Sequence, residues 1–387
     1  MNNIKVSKKI NNVLIMNGDS EQCLNLAKQF SNNSFNVFTA DFFQQSVTKN
    51  SNHIKKYIRL PSARFDTQNF VKELIKIVLT FKIDLIIPLY DVSFYLSKNK
   101  EIISKYTTVF VDDIDKLKSL HNKYEFATLC KNYSISSPSF QLIKNEDDLL
   151  NFDKNYKDYV FKPLASRWGE NVVVKPTKKK LISIINKLRY PIIAQQFIDG
   201  EEFSTYSISR DGFVTAHTSY KSIYKLGSSG IAFQKVNDDK IKKFVSDFCR
   251  KNNYNGQIGF DFIKDRNGKY FVIECNPRAT SGVTMFSASI NLPQAFIETK
   301  PVISADLDYS MLSAAMLVIE LPKSILSAKV IHFIRYFSKA NDILCDSKDI
   351  VPPIYIIYFT FVLVPLRMLA LQKSMKETLG WNEEYNI

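Results

Sequence analysis

Short apolar runs alternate with amphipathic stretches over the first third of the chain. Val13-Leu-Ile-Met-Asn-Gly18 predicts a buried strand that ends in a turn. A helix from about Ser20 to Phe30 and a second strand near Phe35 to Ala40 follow. Helical spacing from Gln68 to Phe81 leads into the run Asp84 to Asp91, read as another buried strand, and Tyr106 to Val111 predicts one more. This alternation is that of a small parallel α/β, Rossmann-like unit, assigned to residues 1–114. No G-x-G-x-x-G follows its first strand, so dinucleotide binding there is not supported. Asp91, just past a strand's carboxyl end, stands where such sheets place ligand contacts; a helix cap or turn is the plainer reading.

From residue 115 the pattern changes. Asp115 to Asn132 predicts a helix with Lys123 early in it, and Ser136-Ser-Pro-Ser139 a linker. Tyr159 to Pro163 predicts a strand that carries Lys162, and a lysine on a buried strand needs a counter-charge. Ile192 to Ile198 is a further strand, ending in the turn Asp199-Gly200. Several strands are expected between residues 203 and 236, with Lys221, Lys225 and a Gly227-Ser-Ser-Gly230 turn. Ile241 to Asn252 then predicts a basic amphipathic helix.

The richest stretch is residues 256–282, GQIGFDFIKDRNGKYFVIECNPRATSG. Asn267-Gly268 between two β-branched and aromatic runs is a strong hairpin signal. A turn on those two residues pairs Arg266 with Lys269 and sets Ile263 opposite Val272, Asp261 opposite Glu274 and Gly259 opposite Asn276. Like charges across strands repel unless a cation lies between them. Asn276, two residues after Glu274, shares its face. Asp261, Glu274 and Asn276 thus form a hard oxygen set suited to magnesium, completed by waters and substrate phosphates. Pro277 ends the strand, Arg278 follows at once, and the turn Thr280-Ser281-Gly282 offers N–H groups and hydroxyls to an anion. The plain alternative is an exposed hairpin with a solvated acidic pair.

Composition narrows the field. The chain has 387 residues, enough for two or three packed units, and is 45% hydrophobic and 13% aromatic. Its five cysteines lack CxxC or Cys/His metal spacing, which argues against zinc and fits a reducing cytosol. The first apolar run, Val13 to Met16, is too short for a signal-peptide core. The formal charge of +14 is spread as lysine through an Asn/Lys/Ile-rich chain. Without a recognition helix, zinc finger or aromatic RNA-binding signature, a nucleic-acid partner is set aside.

The order Gly-Phe-Asp-Phe, short hairpin, Ile-Glu-Cys-Asn-Pro-Arg and small-residue turn resembles the metal-binding end of the ATP-grasp superfamily, which includes biotin carboxylase, carbamoyl phosphate synthetase and D-alanine–D-alanine ligase. The resemblance covers roughly residues 10–300. It implies a mixed α/β and α+β architecture: an ATP-grasp fold over residues 115–300, behind an N-terminal Rossmann-like (pre-ATP-grasp) domain that helps to hold the acceptor substrate. It further implies that Lys123 and Lys162 contact nucleotide phosphate, and that the loop with Arg167 and Gly169 closes over the phosphates. The 195–202 hinge would read adenine through the backbone around Gln196 to Ile198, with Glu202 accepting from the ribose. Gln195 stands where many members have Glu, which leaves the amino-group contact in doubt but keeps an acceptor. The cofactors implied are ATP and magnesium, with manganese as a substitute.

The activity implied is an ATP-dependent ligase that turns a substrate carboxylate into an acyl phosphate and joins it to an amine, with Arg278 orienting the carboxylate and stabilising the oxyanion. Ser281 and Gly282 would line the substrate. A phosphotransferase, a carbamoyl-forming enzyme and a non-catalytic nucleotide-binding scaffold stay open as alternatives. Small carboxylates and amines are the expected partners, and a homodimer is left open. Residues 301–387 read as an apolar C-terminal extension. Between Pro353 and Arg367 the apolar stretch is too short to span a bilayer. A buried helix or lid is the first reading; a peripheral membrane contact through residues 350–376, on an otherwise cytoplasmic protein, is the second.

Overall fold

The computed structural model describes residues 9–166, 171–183, 189–227, 229–299, 302–345, 349 and 354. The N-terminal unit is a five-stranded, all-parallel sheet of β1 (Asn12–Met16), β2 (Asn36–Asp41), β3 (Lys56–Arg59), β4 (Leu85–Ile87) and β5 (Thr108–Val109), in the order β3-β2-β1-β4-β5. Alternation along β1 feeds both faces. Val13 and Ile15 pack with Cys23, Leu26 and Phe30 of helix α1 (Glu21–Asn32), whereas Leu14 and Met16 pack with Phe70, Leu74 and Val78 of α2 (Thr67–Phe81). Ser20 caps α1 by accepting from the Cys23 N–H at 3.2 Å, and Asp66 caps α2.

Two strands are shorter than the apolar pattern predicts. β4 stops at Ile87 rather than running to Asp91, because Pro88 cannot extend the ladder and Tyr90 takes a left-handed turn at φ +49. β5 covers only two residues of the stretch Tyr106 to Val111. The helices α3 (Val92–Lys98) and α4 (Lys100–Ile103) lie between them. The helix expected from Asp115 to Asn132 is two helices, α5 (Ile114–His121) and α6 (Lys123–Leu129), followed by a short 3-10 turn. Asn122 breaks it. Its backbone is extended at φ −70, ψ 110, and its side chain accepts from the N–H groups of Tyr124 and Glu125, so Lys123 opens a new helix.

A small antiparallel sheet holds β6 (Phe140–Ile143), β7 (Tyr159–Pro163), β8 (Val173–Val174) and β9 (Ile192–Gln196), in the order β6-β9-β7-β8. The large sheet contains β10 (Gly200–Arg210), β11 (Phe213–Leu226), β12 (Ser229–Val236), β13 (Gly256–Asp265), β14 (Tyr270–Asn276), β15 (Ile303–Ser304), β16 (Tyr309–Met311) and β17 (Asn341–Asp342). Its order is β14-β13-β10-β11-β12-β16-β17, with β15 beside β11, so the sheet runs on past residue 300. The helix Asp239–Lys251 covers one face, setting Phe244 and Phe248 on Phe260 at ring separations of 5.5 and 4.9 Å. Tyr206, Ile208 and Tyr220 of the large sheet share one core with α1 and β1, which ties the N-terminal unit to it.

The β13–β14 hairpin corrects the predicted register in detail. The turn is a three-residue loop, Arg266 to Gly268, closed by Asp265 N–H donating to Lys269 O at 2.9 Å, with Gly268 at φ +79. Asp265 accepts from the N–H groups of Asn267 and Lys269, which favours this loop over the two-residue turn. Ile263 therefore faces Phe271, not Val272. A bulge that leaves Ile273 without a partner restores the count, so Asp261 faces Glu274 and Gly259 faces Asn276 as expected.

Candidate functional site

The site is built on the face of the large sheet opposite the Phe244–Phe260 core. The bulge at Ile273 switches the phase of β14, so that Val272 and Cys275 enter the core while Glu274 and Asn276 turn to the other side with Asp261. Asp261 Oδ1 accepts from Ser204 Oγ at 2.6 Å and Oδ2 from Asn276 Nδ2 at 3.2 Å. Burial, and then the charge of Glu274, push the Asp261 carboxyl up to about 6, with Ser204 and Arg278 opposing. Burial also works on Glu274, yet Lys123, Lys162, His121 and Arg278 outweigh it and hold that carboxyl below its ordinary value.

These residues suit a divalent cation. Two carboxylates set against each other repel, a cation between them removes the penalty, and Asn276 adds a neutral oxygen donor. Among the described residues no three His, Cys, Asp or Glu side chains gather into a closed metal cage.

Cations surround it. Lys123, 3% exposed, lies 3.6 Å from Glu274 Oε1 and reaches Ser166 Oγ at 3.4 Å. Its backbone N–H donates to Leu164 O at 2.8 Å, which docks the start of α6 on the segment after β7. Lys162 Nζ donates to Gln195 Oε1 at 2.9 Å, and Gln195 Nε2 donates to Ser137 Oγ at 3.0 Å. Burial pushes the Lys162 ammonium down to about 8, Glu274 resists and Lys123 adds to the shift. Burial, helped by Lys123, likewise pushes His121 down to about 3, so its imidazole is neutral at pH 7.

In the 195–202 segment Gln196 N–H donates to Ser139 O and Phe197 N–H to Asp158 O, both at 2.8 Å. Ile198 follows, half-buried, and Glu202 pairs with Lys225 beside the Ser204–Asp261 contact. Arg167 and Gly169 lie outside the described residues, as do residues 355–376 of the C-terminal stretch.

Arg278 extends the face toward the N-terminal sheet. Its Nε is 3.8 Å from Asp91 Oδ1 and its guanidinium lies 5.5 Å from the Tyr90 ring centroid. Asp91 precedes α3 but makes no side-chain cap there. Tyr90 is anchored by its hydroxyl, which donates to Gln22 Oε1 at 2.5 Å. Ser281 is half-buried in the turn after Arg278, and Gly282 is packed so closely that a Cβ would stand 2.6 Å from Tyr206 and from Tyr220. Ser204, His121, Ser166 and Tyr90 escaped the sequence analysis. Ser204 was accessible by alternation from Glu202; the others depend on turns and on contacts between distant segments.

The chain is similar to several known proteins. Residues 120–282 match the family model of the ATP-grasp domain. Over 188 residues the chain is 28% identical to an uncharacterized protein of Methanocaldococcus jannaschii, covering 48% of each. Over 151 residues it is 26% identical to the arginine-specific carbamoyl phosphate synthase large chain of Bacillus subtilis, covering 36% of this chain and 15% of that one. The matched region thus spans about half or less of these relatives. Among solved structures, the N5-carboxyaminoimidazole synthetase of Staphylococcus aureus complexed with ADP aligns at a TM-score of 0.63 and 12% identity, over 83% of this chain and 87% of that one. The biotin carboxylase domain of Hydrogenobacter thermophilus 2-oxoglutarate carboxylase, complexed with MgADP, ADP and bicarbonate, aligns at 0.61 and 12% identity, over 78% and 73%. The L-amino acid ligase of Bacillus licheniformis aligns at 0.57 and 16% identity, over 75% of both chains. The chain has the ATP-grasp fold, which these solved structures share over 75–83% of its length.

Proposed function

We propose that the protein is an ATP-dependent ligase that joins a carboxylate to an amine, with ADP and phosphate as products. The support is one face on which Asp261, Glu274 and Asn276 converge with Lys123, Lys162 and Arg278. A metal cation and a polyphosphate together satisfy that mixture of charges, and Arg278 is left for a substrate anion.

Asp261, Glu274 and the Asn276 amide oxygen would hold magnesium, or manganese in its place. When bound there, the ion would supply neutralisation of the nucleotide phosphates' charge. Lys123, buried, and Lys162, half-buried, would take phosphate oxygens, which would replace the hydration these ammonium groups lose. The backbone of the segment ending at Ile198 would meet the adenine edge, and Glu202 the ribose hydroxyls. Arg167 and Gly169 would close over the phosphates. Arg278, with Ser281 and the turn around Gly282, would orient the substrate carboxylate.

A carboxylate oxygen then attacks the γ-phosphorus, and the bond to ADP breaks, giving an acyl phosphate. The amine nitrogen attacks the acyl carbon, the amine proton passes to solvent, and phosphate leaves with the C–O electron pair. Arg278 stabilises the oxyanion between these events. ADP release from Mg·ATP, measured against pools of amino acids and small carboxylates, tests the reading. Substrate-dependent ADP that vanishes in Glu274→Gln is expected; equal ADP in the variant contradicts the site. A phosphorylated product that accumulates would favour a phosphotransferase.

A further inference from the structure

The helices that follow β16 carry an apolar surface unrelated to the site. Between Ser313 and Phe337 they bury Met316, Phe333 and Tyr336 against the β12–β16 edge of the large sheet. Their outer side is also apolar. Leu326 is 89% exposed, and Leu317, Val318, Ile325, Ile331 and Ile334 are between 46 and 66% exposed. A helix such as Val330–Phe337, which buries Phe333 and Tyr336 and still presents Ile331 and Ile334 outward, has two apolar faces and one protein core to cover.

Charge identifies the occupant. Residues 313–340 hold four cations, Lys323, Lys329, Arg335 and Lys339, against Glu320 as the one acidic residue, within a chain of net charge +14. All four cationic residues are exposed, and Lys323 reaches Glu320 at 3.6 Å. In a twofold dimer this surface would set those cations against their own copies. An anionic bilayer supplies both an apolar layer for the aliphatic side chains and negative headgroups for the cations. Among the described residues no helix is long and apolar enough to cross a membrane, so the contact is one of lying on the surface.

We propose that the 313–340 helical surface docks the protein on anionic lipid bilayers, with Leu326, Ile331 and Ile334 entering the acyl boundary and Lys323, Lys329, Arg335 and Lys339 meeting the headgroups. The proposal is independent of the ligase reading. The test is sedimentation of the full-length protein with vesicles of phosphatidylcholine alone or with 30 mol% phosphatidylserine. Binding about tenfold or more tighter to the anionic vesicles, weakened by salt, is expected. Combining Leu326→Glu, Ile331→Glu and Ile334→Glu abolishes that binding with the melting temperature unchanged, because these side chains take little part in the core. A Leu326→Trp variant gains quenching by brominated acyl chains over the wild-type background. Failure to bind anionic vesicles, binding that survives the triple substitution, or absence of added quenching each overturns the proposal. A wild-type dimer that the triple substitution converts to monomer would assign the surface to a second copy instead.

Discussion

Arg278 comes from the end of β14, but its surroundings come from the N-terminal sheet. Asp91 is almost wholly buried at 2% exposure and faces Nε at 3.8 Å, while the Tyr90 ring flanks the guanidinium. A buried carboxylate that starts a helix without capping it is well suited to fixing a cation's direction. Asp91→Asn is therefore expected to lower kcat/KM for the carboxylate substrate by about 10- to 100-fold, with nucleotide affinity unchanged. Wild-type kcat/KM in that variant would reduce Asp91 to a helix-start residue. Asp91 was legible only as a position beyond a strand's carboxyl end, which the structure sets at Ile87. Tyr90 was not: its part depends on a left-handed backbone at φ +49 and on a partner 188 residues away in sequence, neither of which a local pattern encodes.

At the scale of elements, the hairpin gave up its acidic pair to sequence reasoning for a reason that sequence reasoning did not contain. The three-residue loop and the Ile273 bulge each shift the register by one and cancel beyond the bulge, so the Asp261–Glu274 pairing holds while Ile263 and Val272 part. Apolar periodicity located α5 and α6 as one segment, because both bury Leu or Phe at helical spacing, and it passed over Asn122. The break matters to the site. It places Lys123 in the first turn of α6, where its N–H and its ammonium both reach the segment after β7. Asn122→Ala removes a cap with two acceptor contacts and is expected to cost about 1 kcal/mol. It should also raise the KM for ATP, and Asn122→Asp should restore both. Unchanged stability and KM in the alanine variant would contradict the link from cap to lysine.

For the molecule as a whole, the parallel unit follows from the alternation of apolar runs, whereas the layout of residues 115–300 came from the resemblance, and the strands past residue 300 that join the large sheet were read as an apolar extension. What that reading lacked is how the parts are joined. The core shared by α1, β1 and Tyr206 and Tyr220 crosses the boundary between the N-terminal unit and the large sheet. The C-terminal segment comes back to the N-terminal unit as well: Lys28 Nζ donates to Leu344 O at 2.9 Å, and Ser51 donates to the Asp349 carboxylate. Such contacts link residues about 300 positions apart, beyond the reach of any local periodicity. The shared core, which takes in Leu89, Tyr90 and Ala279, sets Asp91 beside Arg278. The proposed nucleotide face is the central claim, and calorimetric titration with ADP, with and without magnesium, tests it most directly. The wild-type protein should bind at least about tenfold more tightly with magnesium, and Glu274→Gln should lose that difference while keeping the wild-type melting temperature to within a few degrees. An equal magnesium effect in the variant would contradict the assignment of Asp261, Glu274 and Asn276 to the metal.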